Sequence, residues 1–406
     1  MLRCGLLGET LGHSYSPMIH HALGEYDYRL FEIPKEDLDA FLRSDRWDGL
    51  NVTIPYKKAV VPYCAELSEA AAKLQSVNTI VRRPDGTLYG DNTDLFGFLY
   101  MVRRSGIDPA GKKALVLGSG GASVTVKAAL EQLGAAVTVI SRSGPDNYDH
   151  LDRHADAQII ANTTPVGMYP RNGAAAVDLR LFPQCEGVLD IVYNPARTAL
   201  LLQAEELGIP HAGGLSMLVA QAKESAEWFT GKAIPDERIG EIYARLRRET
   251  ENLIIIGMPG SGKTTVGRVL AQRLGRTLVD TDALVVQAAG CPIPELFARE
   301  GEEAFRALEH QALCQAGRAS GTVIATGGGI VTRRENWAPM RENSTVIFLW
   351  RPLDQLPLDG RPVSQANPLE ELYEKRLPLY EKAADLTVDN DQVDRAVDEI
   401  IRRLKL

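Results

Sequence analysis

The stretch "LIIIGMPGSGKTT", Leu253–Thr265, decides the fold of the second half of this 406-residue chain. Four apolar residues read as a buried strand. Gly257, Gly260, Ser261, Gly262, Lys263, Thr264 and Thr265 then form a glycine loop of the pattern GxxxxGKS/T and open the helical sequence "TVGRVLAQRLG". A strand, a glycine loop and a helix in that order are the context in which this motif holds phosphate. The glycines let backbone N–H groups close around a β-phosphate, Lys263 reaches β and γ oxygens, and the Thr264 hydroxyl can ligate Mg2+. ATP and Mg2+ are the expected ligands. The motif starts more than half way along the chain, so the residues before it need their own account.

At about 100–200 residues per domain, the length suggests two or three domains. Composition is that of an ordinary globular chain, 45% hydrophobic and 24% charged, with 36 glycines that suit α/β proteins rich in tight turns. A formal net charge of −8 gives a field that repels polyanions, so no nucleic-acid or membrane partner is expected and any anionic ligand must be held by local groups. The five cysteines, at 4, 64, 185, 291 and 314, show neither a CxxC pair nor metal-ligand spacing and read as reduced thiols. "MLRCGLLGETLGHSYSP" has only a short apolar run, and no run reaches the ~18 apolar residues of a membrane span. A cytoplasmic protein is expected; its oligomeric state is not legible.

Short apolar runs alternate with helical patterns: "ALVLG" at 114–118, "AVTVIS" at 136–141, "AQIIAN" at 157–162 and "GVLDIVYN" at 187–194. After residue 250 the pattern restarts with "LIIIG", "TLVDTD", "TVIATGGG" and "TVIFLW". Two separate parallel sheets, each covered by helices, are expected. In "DERIGEIYARLRRETEN" the residues Ile239, Ile242, Tyr243 and Leu246 recur at helical spacing, so one unit should end in a helix that runs almost directly into the next strand. The expected domains are 1–250, with an N-terminal substrate subdomain (about 1–100 plus 215–250) and a Rossmann subdomain (about 101–214), and 252–406, a P-loop domain.

An acceptor-side set follows the phosphate loop. "DTD" would project Asp280 and Asp282 from a strand's carboxyl end, where one can hold metal-bound water and the other a substrate hydroxyl. "EEAFRALE" places Arg306 on a helix beside its acids, Thr326–Gly329 form a glycine run, and "EKRLPLYEKAAD" carries Arg376. Taken singly, the two arginines read equally well as surface ion pairs. In this order and spacing the set resembles shikimate kinase over residues 252–406. The resemblance implies that Asp282, Arg306, Gly328 and Arg376 hold shikimate, the arginines gripping its carboxylate. It also implies that Arg361 in "DGRPV" is a lid arginine folding over ATP. "WRPLDQLPLDGRP" departs from the family in a shorter approach to the lid, with Pro357 opposing a continuous helix.

In the first half, "VLGSGGAS" sets Gly118, Ser119, Gly120, Gly121 and Ala122 between an apolar strand and a helical pattern, with Ser123 where a third glycine would fall. The next strand ends in Ser141 and Arg142, where an NAD enzyme would want an acid for the ribose hydroxyls. A hydroxyl and a guanidinium suit a 2′-phosphate, so NADP(H) is favoured. "GLNVTIPYKKAV" puts Lys57 just after a strand, and "GDNTDLFGF" places Asp94 after Asn92 and Thr93. A lysine and a carboxylate brought together can pass a proton to a carbonyl oxygen as hydride arrives. The residues alone leave Lys57 equally readable as an ordinary surface lysine.

The ordered motifs "GHSYSP", "NVTIPYK", "SVNT", "GDNTD", "NTTPVGM", "DIVYNP" and "GGLSMLVAQA" resemble shikimate dehydrogenase from residue 2 to about 250. The resemblance implies that Ser14 and Ser16 take the substrate carboxylate, that Thr53, Asn78, Asp94 and Gln221 take ring hydroxyls, and that Lys57 and Asp94 are the catalytic pair. Gly118–Ala122 then match the diphosphate loop, Ser141 and Arg142 the 2′-phosphate site, and Gly214 and Met217 the nicotinamide side. Tyr193 would lie near both ligands, though a core tyrosine is the plainer alternative. "SRSGPDN" lacks the second basic residue common after this strand, which weakens the preference for NADP; "QSVNT" stands for the common GAVNT. The two resemblances together imply a bifunctional enzyme that reduces 3-dehydroshikimate to shikimate and phosphorylates the product. The alternatives are one half altered toward quinate or NAD, or one half acting as a shikimate-sensing regulatory module.

Overall fold

The computed structural model describes residues 1–12, 14–356 and 369–406, so Pro357 and Arg361 lie outside the described residues. The chain divides into two compact units, Met1–Arg245 and Leu246–Leu406. The division falls inside the helix Glu237–Thr250, several residues before the end of the first expected domain. Ile239, Ile242 and Leu246 on that helix are buried, as their spacing requires.

The first unit holds two sheets, not one. Strands β1 (Arg3–Gly8), β2 (Asp27–Glu32), β3 (Gly49–Val52), β4 (Glu66–Leu67), β5 (Thr79–Arg82) and β6 (Leu88–Asp91) form a mixed sheet in the order β2-β1-β3-β5-β6-β4. The expectation of two parallel sheets in the chain is corrected to three. The reason is local: these strands run from two to six residues, and "DYRLFE" on the edge strand exposes charged side chains. Apart from the short β1 and β3, which are buried along nearly all of their length, they lack the continuous burial of a strand covered on both faces. Leu7 packs on one face with Trp47, Leu50 and Val52, while Cys4 packs on the other with Tyr26 and Phe229.

Strands β7 (Lys113–Leu117), β8 (Ala136–Ile140), β9 (Ile159–Asn162), β10 (Gly187–Asp190) and β11 (His211–Gly213) form an all-parallel sheet in the order β11-β10-β9-β7-β8. Its central strands are apolar throughout because helices cover both faces, Phe98 and Leu130 lying in one layer and Leu200 and Phe182 in the other. Each such fully buried side chain contributes about 1.5–3 kcal/mol relative to exposure. Strand order reverses between β7 and β9, and ligands of doubly wound sheets bind at the carboxyl ends of such a pair.

In the second unit β12 (Asn252–Ile256), β13 (Leu278–Asp280), β14 (Val323–Ala325), β15 (Ser344–Trp350) and β16 (Leu386–Asp389) are parallel in the order β13-β14-β12-β15-β16. The carboxyl ends of β12, β13 and β14 deliver the glycine loop, Asp280 and Thr326 to one end of the sheet. Among the described residues no helix is long and apolar enough to cross a membrane.

Candidate active sites

In the first unit the loop after β3 is held by backbone. Thr53 N donates to Leu7 O at 2.9 Å and Val77 N to Lys57 O at 2.8 Å, while the buried Tyr56 hydroxyl donates to Ile33 O at 2.6 Å. Lys57 is thereby aimed at Asp94, and its Nζ lies 2.5 Å from Oδ2, the two side chains being 16% and 12% exposed. Lys57 is therefore not an ordinary surface lysine. Asp94 opens the helix Asp94–Ser105, where the N-terminal dipole favours a carboxylate. A Cβ at Gly97 would stand 2.7 Å from Met217 O and 3.0 Å from Gln221 Cβ. Only glycine there lets the helix Leu215–Thr230 come close enough to bring Gln221 to Asp94's neighbourhood.

Asn78 joins the set through its amide, its Oδ1 accepting from Thr93 N at 2.7 Å and its Nδ2 facing Gln221 Oε1 at 3.4 Å. Behind it runs a buried polar network that the sequence reading missed. Ser225 Oγ meets Thr79 at 2.7 Å, Thr93 at 3.0 Å and Asn51 Nδ2 at 2.8 Å, and Asn51 Oδ1 accepts from Tyr28 OH at 2.8 Å. Buried groups left unpaired cost about 1–3 kcal/mol each, so the network fixes the strands that carry Asn78 and Thr53. Tyr28 reaches Ser16, which starts the helix Ser16–Leu23 and whose N–H donates to Ser14 Oγ at 3.2 Å. Tyr193, after β10, lies near Ser14 and packs on Tyr15 with ring centroids 5.4 Å apart. It is half-buried beside the serine pair, not a core tyrosine.

On the cofactor side Gly118 has φ +98°, and a Cβ there would lie 2.8 Å from Thr164. Gly120 and Gly121 are different: a Cβ would meet nothing within 4 Å, so the room above them is open to a ligand. Ser123, at the third glycine position, is buried and donates to Gly120 O at 2.6 Å, so it serves the turn itself. Gly118 N donates to Ile140 O at 2.8 Å, which sets Ser141 and the exposed Arg142 beside the loop. The Ser141 hydroxyl donates to Ser143 O. A Cβ at Gly214 would fall 2.0 Å from Ile191 O, so glycine alone allows the approach that seats the buried Met217.

The loop bearing Tyr193 hangs on the buried Asp190, which accepts from Thr198 Oγ1 at 2.7 Å and from Val192 N and Asn162 Nδ2 at 3.0 Å each. Burial outweighs these donors and pushes its carboxyl up to about 6. A pKa raised on folding stabilises the folded state below the unfolded value near 4 and loses that contribution as pH rises through about 6. Asp190→Asn, which does not titrate, should therefore show a flatter fall in melting temperature of the first unit between pH 4 and 6 than wild type. Parallel profiles by calorimetry would mean that Asp190 does not titrate in this window.

In the second unit Gly257, Gly260 and Gly262 have φ of +149°, +88° and +91°, the conformations that make the loop a nest of N–H groups. Lys263 Nζ is held at 2.9 Å by both Gly257 O and Met258 O. Thr264 Oγ1 donates to Asp280 Oδ2 at 2.8 Å, and Asp280 also caps the helix Thr281–Ala289 that carries Asp282. Asn390, after β16, donates to Ser261 O at 2.6 Å and holds the loop from a distant part of the chain. It also lines a cleft of ≈ 150 Å³ with Trp350, Gln355 and Asp389.

Arg306 and Arg376 are 5% and 4% exposed, so neither is a surface ion pair. Arg306 Nη1 pairs with the fully buried Glu309 at 2.7 Å, and its Nη2 with the exposed Glu302 at 3.1 Å. Burial raises the Glu309 carboxyl, with the Arg306 charge pulling the other way. The glycine run is enclosed by these groups. A Cβ at Gly327 would stand 2.6 Å from Glu309 Oε1 and 2.8 Å from Asp282 Oδ1, and one at Gly329 2.1 Å from Arg306 Nη1. Gly328 O accepts from the Tyr380 hydroxyl and from Arg376 Nη1, the latter at 3.3 Å. Asp282, Arg306, Gly328 and Arg376 are thus gathered in one place, together with Glu309 and Tyr380, which the sequence reading did not single out.

A doubly wound sheet with an open glycine loop, in a unit that also holds a largely buried lysine–carboxylate pair, defines an oxidoreductase of the dinucleotide-binding class, and the second unit defines a P-loop phosphotransferase. The family described as "Shikimate dehydrogenase substrate binding domain" matches residues 6–80, and that described as "Shikimate kinase" matches residues 259–405. A shikimate dehydrogenase (NADP(+)) of Clostridium perfringens (strain SM101 / Type A) is 34% identical over 265 residues, covering 60% of this chain and 97% of the relative. Among solved structures, a chorismate mutase/shikimate 5-dehydrogenase fusion protein from Clostridium acetobutylicum matches with TM-score 0.57 and 35% identity, over 60% of this chain and 97% of that one. The shikimate 5-dehydrogenase of Thermus thermophilus in complex with NADP(H) and shikimate matches with TM-score 0.55 and 31% identity, over 60% of this chain and 99% of that one. The chain belongs to the shikimate dehydrogenase family through its first unit and carries a shikimate kinase domain in its second. Both domains are enzymatic and belong to the shikimate route of aromatic biosynthesis.

Proposed function

We propose that the chain catalyses two consecutive steps: reduction of 3-dehydroshikimate by NADPH, then phosphorylation of the resulting shikimate at its 3-hydroxyl by MgATP. One observation supports this reading above others: in each unit the groups that must handle a proton or a phosphate already meet, Lys57 with Asp94 and Thr264 with Asp280.

In the reductase, Ser14 and Ser16 bind the substrate carboxylate and Thr53, Asn78 and Gln221 the ring hydroxyls. NADPH, when bound over Gly118–Ala122 with Arg142 at its 2′-phosphate and Met217 and Gly214 beside the nicotinamide, supplies the hydride. The Lys57 ammonium donates a proton to the carbonyl oxygen, and Asp94 keeps that ammonium aimed. Tyr193, packed on Tyr15 near Ser14, would face the ring from that side.

In the kinase, Arg306 and Arg376 grip the shikimate carboxylate and Asp282 accepts a hydrogen bond from the 3-hydroxyl. The hydroxyl oxygen attacks the γ-phosphorus of ATP and gives its proton to Asp282, the bond from that phosphorus to the β–γ bridging oxygen breaks, and ADP leaves. Lys263 and the loop N–H groups stabilise the charge of the transferring phosphoryl group. Among the described residues no cluster of three His, Cys, Asp or Glu could hold a metal alone. Mg2+ would take Thr264, water held by Asp280, and phosphate oxygens. The cleft beside Asn390 would receive the base, with Trp350 as its flat wall.

Purified protein given 3-dehydroshikimate, NADPH and MgATP should oxidise NADPH and form ADP in equal amounts, and NADH should serve less well. NADPH oxidation without ADP formation, when added shikimate is also left unphosphorylated, would defeat the two-step reading.

A further inference from the structure

Cys64, Cys185 and Cys314 are all half-buried thiols, yet their partners differ in kind. Cys64 Sγ donates to Val60 O and Cys185 Sγ to Gly187 O, each at 3.6 Å. A backbone carbonyl cannot take a thiol's proton. Cys314 Sγ instead faces Nε2 of His310 at 3.5 Å, four residues earlier on the helix Ile293–Gly317 and on the same face.

The state of that imidazole follows from its other neighbour. Asn336 is fully buried, and its Nδ2 donates to Ile330 O at 2.8 Å, which turns its Oδ1 toward His310 Nδ1, also at 2.8 Å. An amide oxygen only accepts, so Nδ1 carries a hydrogen, and in the neutral ring the lone pair is then the one on Nε2, which faces the thiol. Base, tautomer and nucleophile are thus set by one chain of contacts.

We propose that Cys314 is a site of thiol oxidation by hydroperoxides, with His310 as its base and Asn336 as the positioning residue. Burial and then the Glu342 carboxylate raise this thiol, with Arg318 pulling the other way, so it stays protonated at neutral pH and depends on a base at the moment of reaction. His310 Nε2 takes the proton as sulfur attacks one peroxide oxygen. The S–O bond forms, the O–O bond breaks, and the departing oxygen receives that proton and leaves as water or alcohol. Sulfur is oxidised to the sulfenic acid and the peroxide is reduced, a step that thiols reverse.

The consequence falls on the kinase. Asn336 anchors the carbonyl of Ile330, the residue that follows Gly327–Gly329, and an oxygen added at sulfur must fit within the 3.5 Å between Sγ and Nε2, so it presses on the ring that Asn336 holds. The experiment treats the full chain with limiting hydrogen peroxide and follows each cysteine by trapping the sulfenic acid and mass spectrometry. Cys314 should react at least about a hundredfold faster than Cys64 and Cys185, the low end of what a positioned base supplies. His310→Gln should remove that advantage, and kinase activity should fall with Cys314 oxidation in wild type but survive in Cys314→Ala. The comparison among the three thiols needs no variant. Equal rates at the three sites would overturn the assignment, as would equal kinase loss in Cys314→Ala.

Discussion

Lys57→Met is expected to lower kcat for reduction of 3-dehydroshikimate by about 10²–10⁴-fold, the contribution of a positioned general acid. Kinase turnover of the same preparation should stay near the wild-type value. Methionine keeps much of the aliphatic stem that fills the space beneath Asp94, so the change removes the proton and the charge with little loss of packing. The pair is only 16% and 12% exposed, so Asp94 left alone is a largely buried carboxylate and some loss of stability is expected. Asp94→Asn separates the two effects. It leaves a neutral group facing the ammonium, and its kcat should fall as well because the ammonium loses the anion that holds it. Normal reduction by Lys57→Met would mean that the carbonyl receives its proton from elsewhere.

The retained kinase activity comes from the same polypeptide and reports how much intact chain is present, while a normal melting transition of the first unit reports that the mutated unit itself is folded. Arg306 shows how far the sequence could be read toward that kinase site. Its position among acids was plain in "EEAFRALE", but whether it lay on the surface was not. The answer rests on Glu309, three residues on and fully buried, and on the Gly327–Gly329 run folding over both. Residues that belong to a motif were legible because their spacing along the chain is fixed by local backbone geometry, as the positive φ values of Gly257, Gly260 and Gly262 illustrate.

Residues that act from a distance were not legible. Asn390 reaches Ser261 across 129 positions, Ser225 reaches Asn51 across 174, and Tyr380 reaches Gly328 across 52. No periodicity links such pairs; only the closed fold does. The mixed sheet of the first unit escaped for a related reason. Its short strands are stabilised by pairing with one another and by packing a few of their own side chains, such as Leu50 and Phe31, against Trp47, not by long apolar runs. Propensity is a weak guide where tertiary pairing decides.

Lys263→Ala should do the reverse of Lys57→Met: kinase kcat/KM falls by at least about 10²–10³-fold, the loss seen when one preorganised donor to a developing negative charge is removed, and reduction is unaffected. The ammonium is held by Gly257 O and Met258 O, within the loop that would receive the phosphates, so it is positioned before ATP arrives. Removing it leaves two loop carbonyls without that donor. The loop itself should persist, because Ser261 N still donates to Met258 O at 3.1 Å and Asn390 still holds Ser261 O. A fall in kcat/KM that far exceeds any rise in the ATP dissociation constant would place the lysine's effect in the transition state, where charge on the phosphoryl group is spread and moving. Loss confined to ATP affinity would restrict Lys263 to binding. If reduction fell in parallel in protein of normal melting temperature, the two chemistries would not be separable, and two independent sites could not describe this chain.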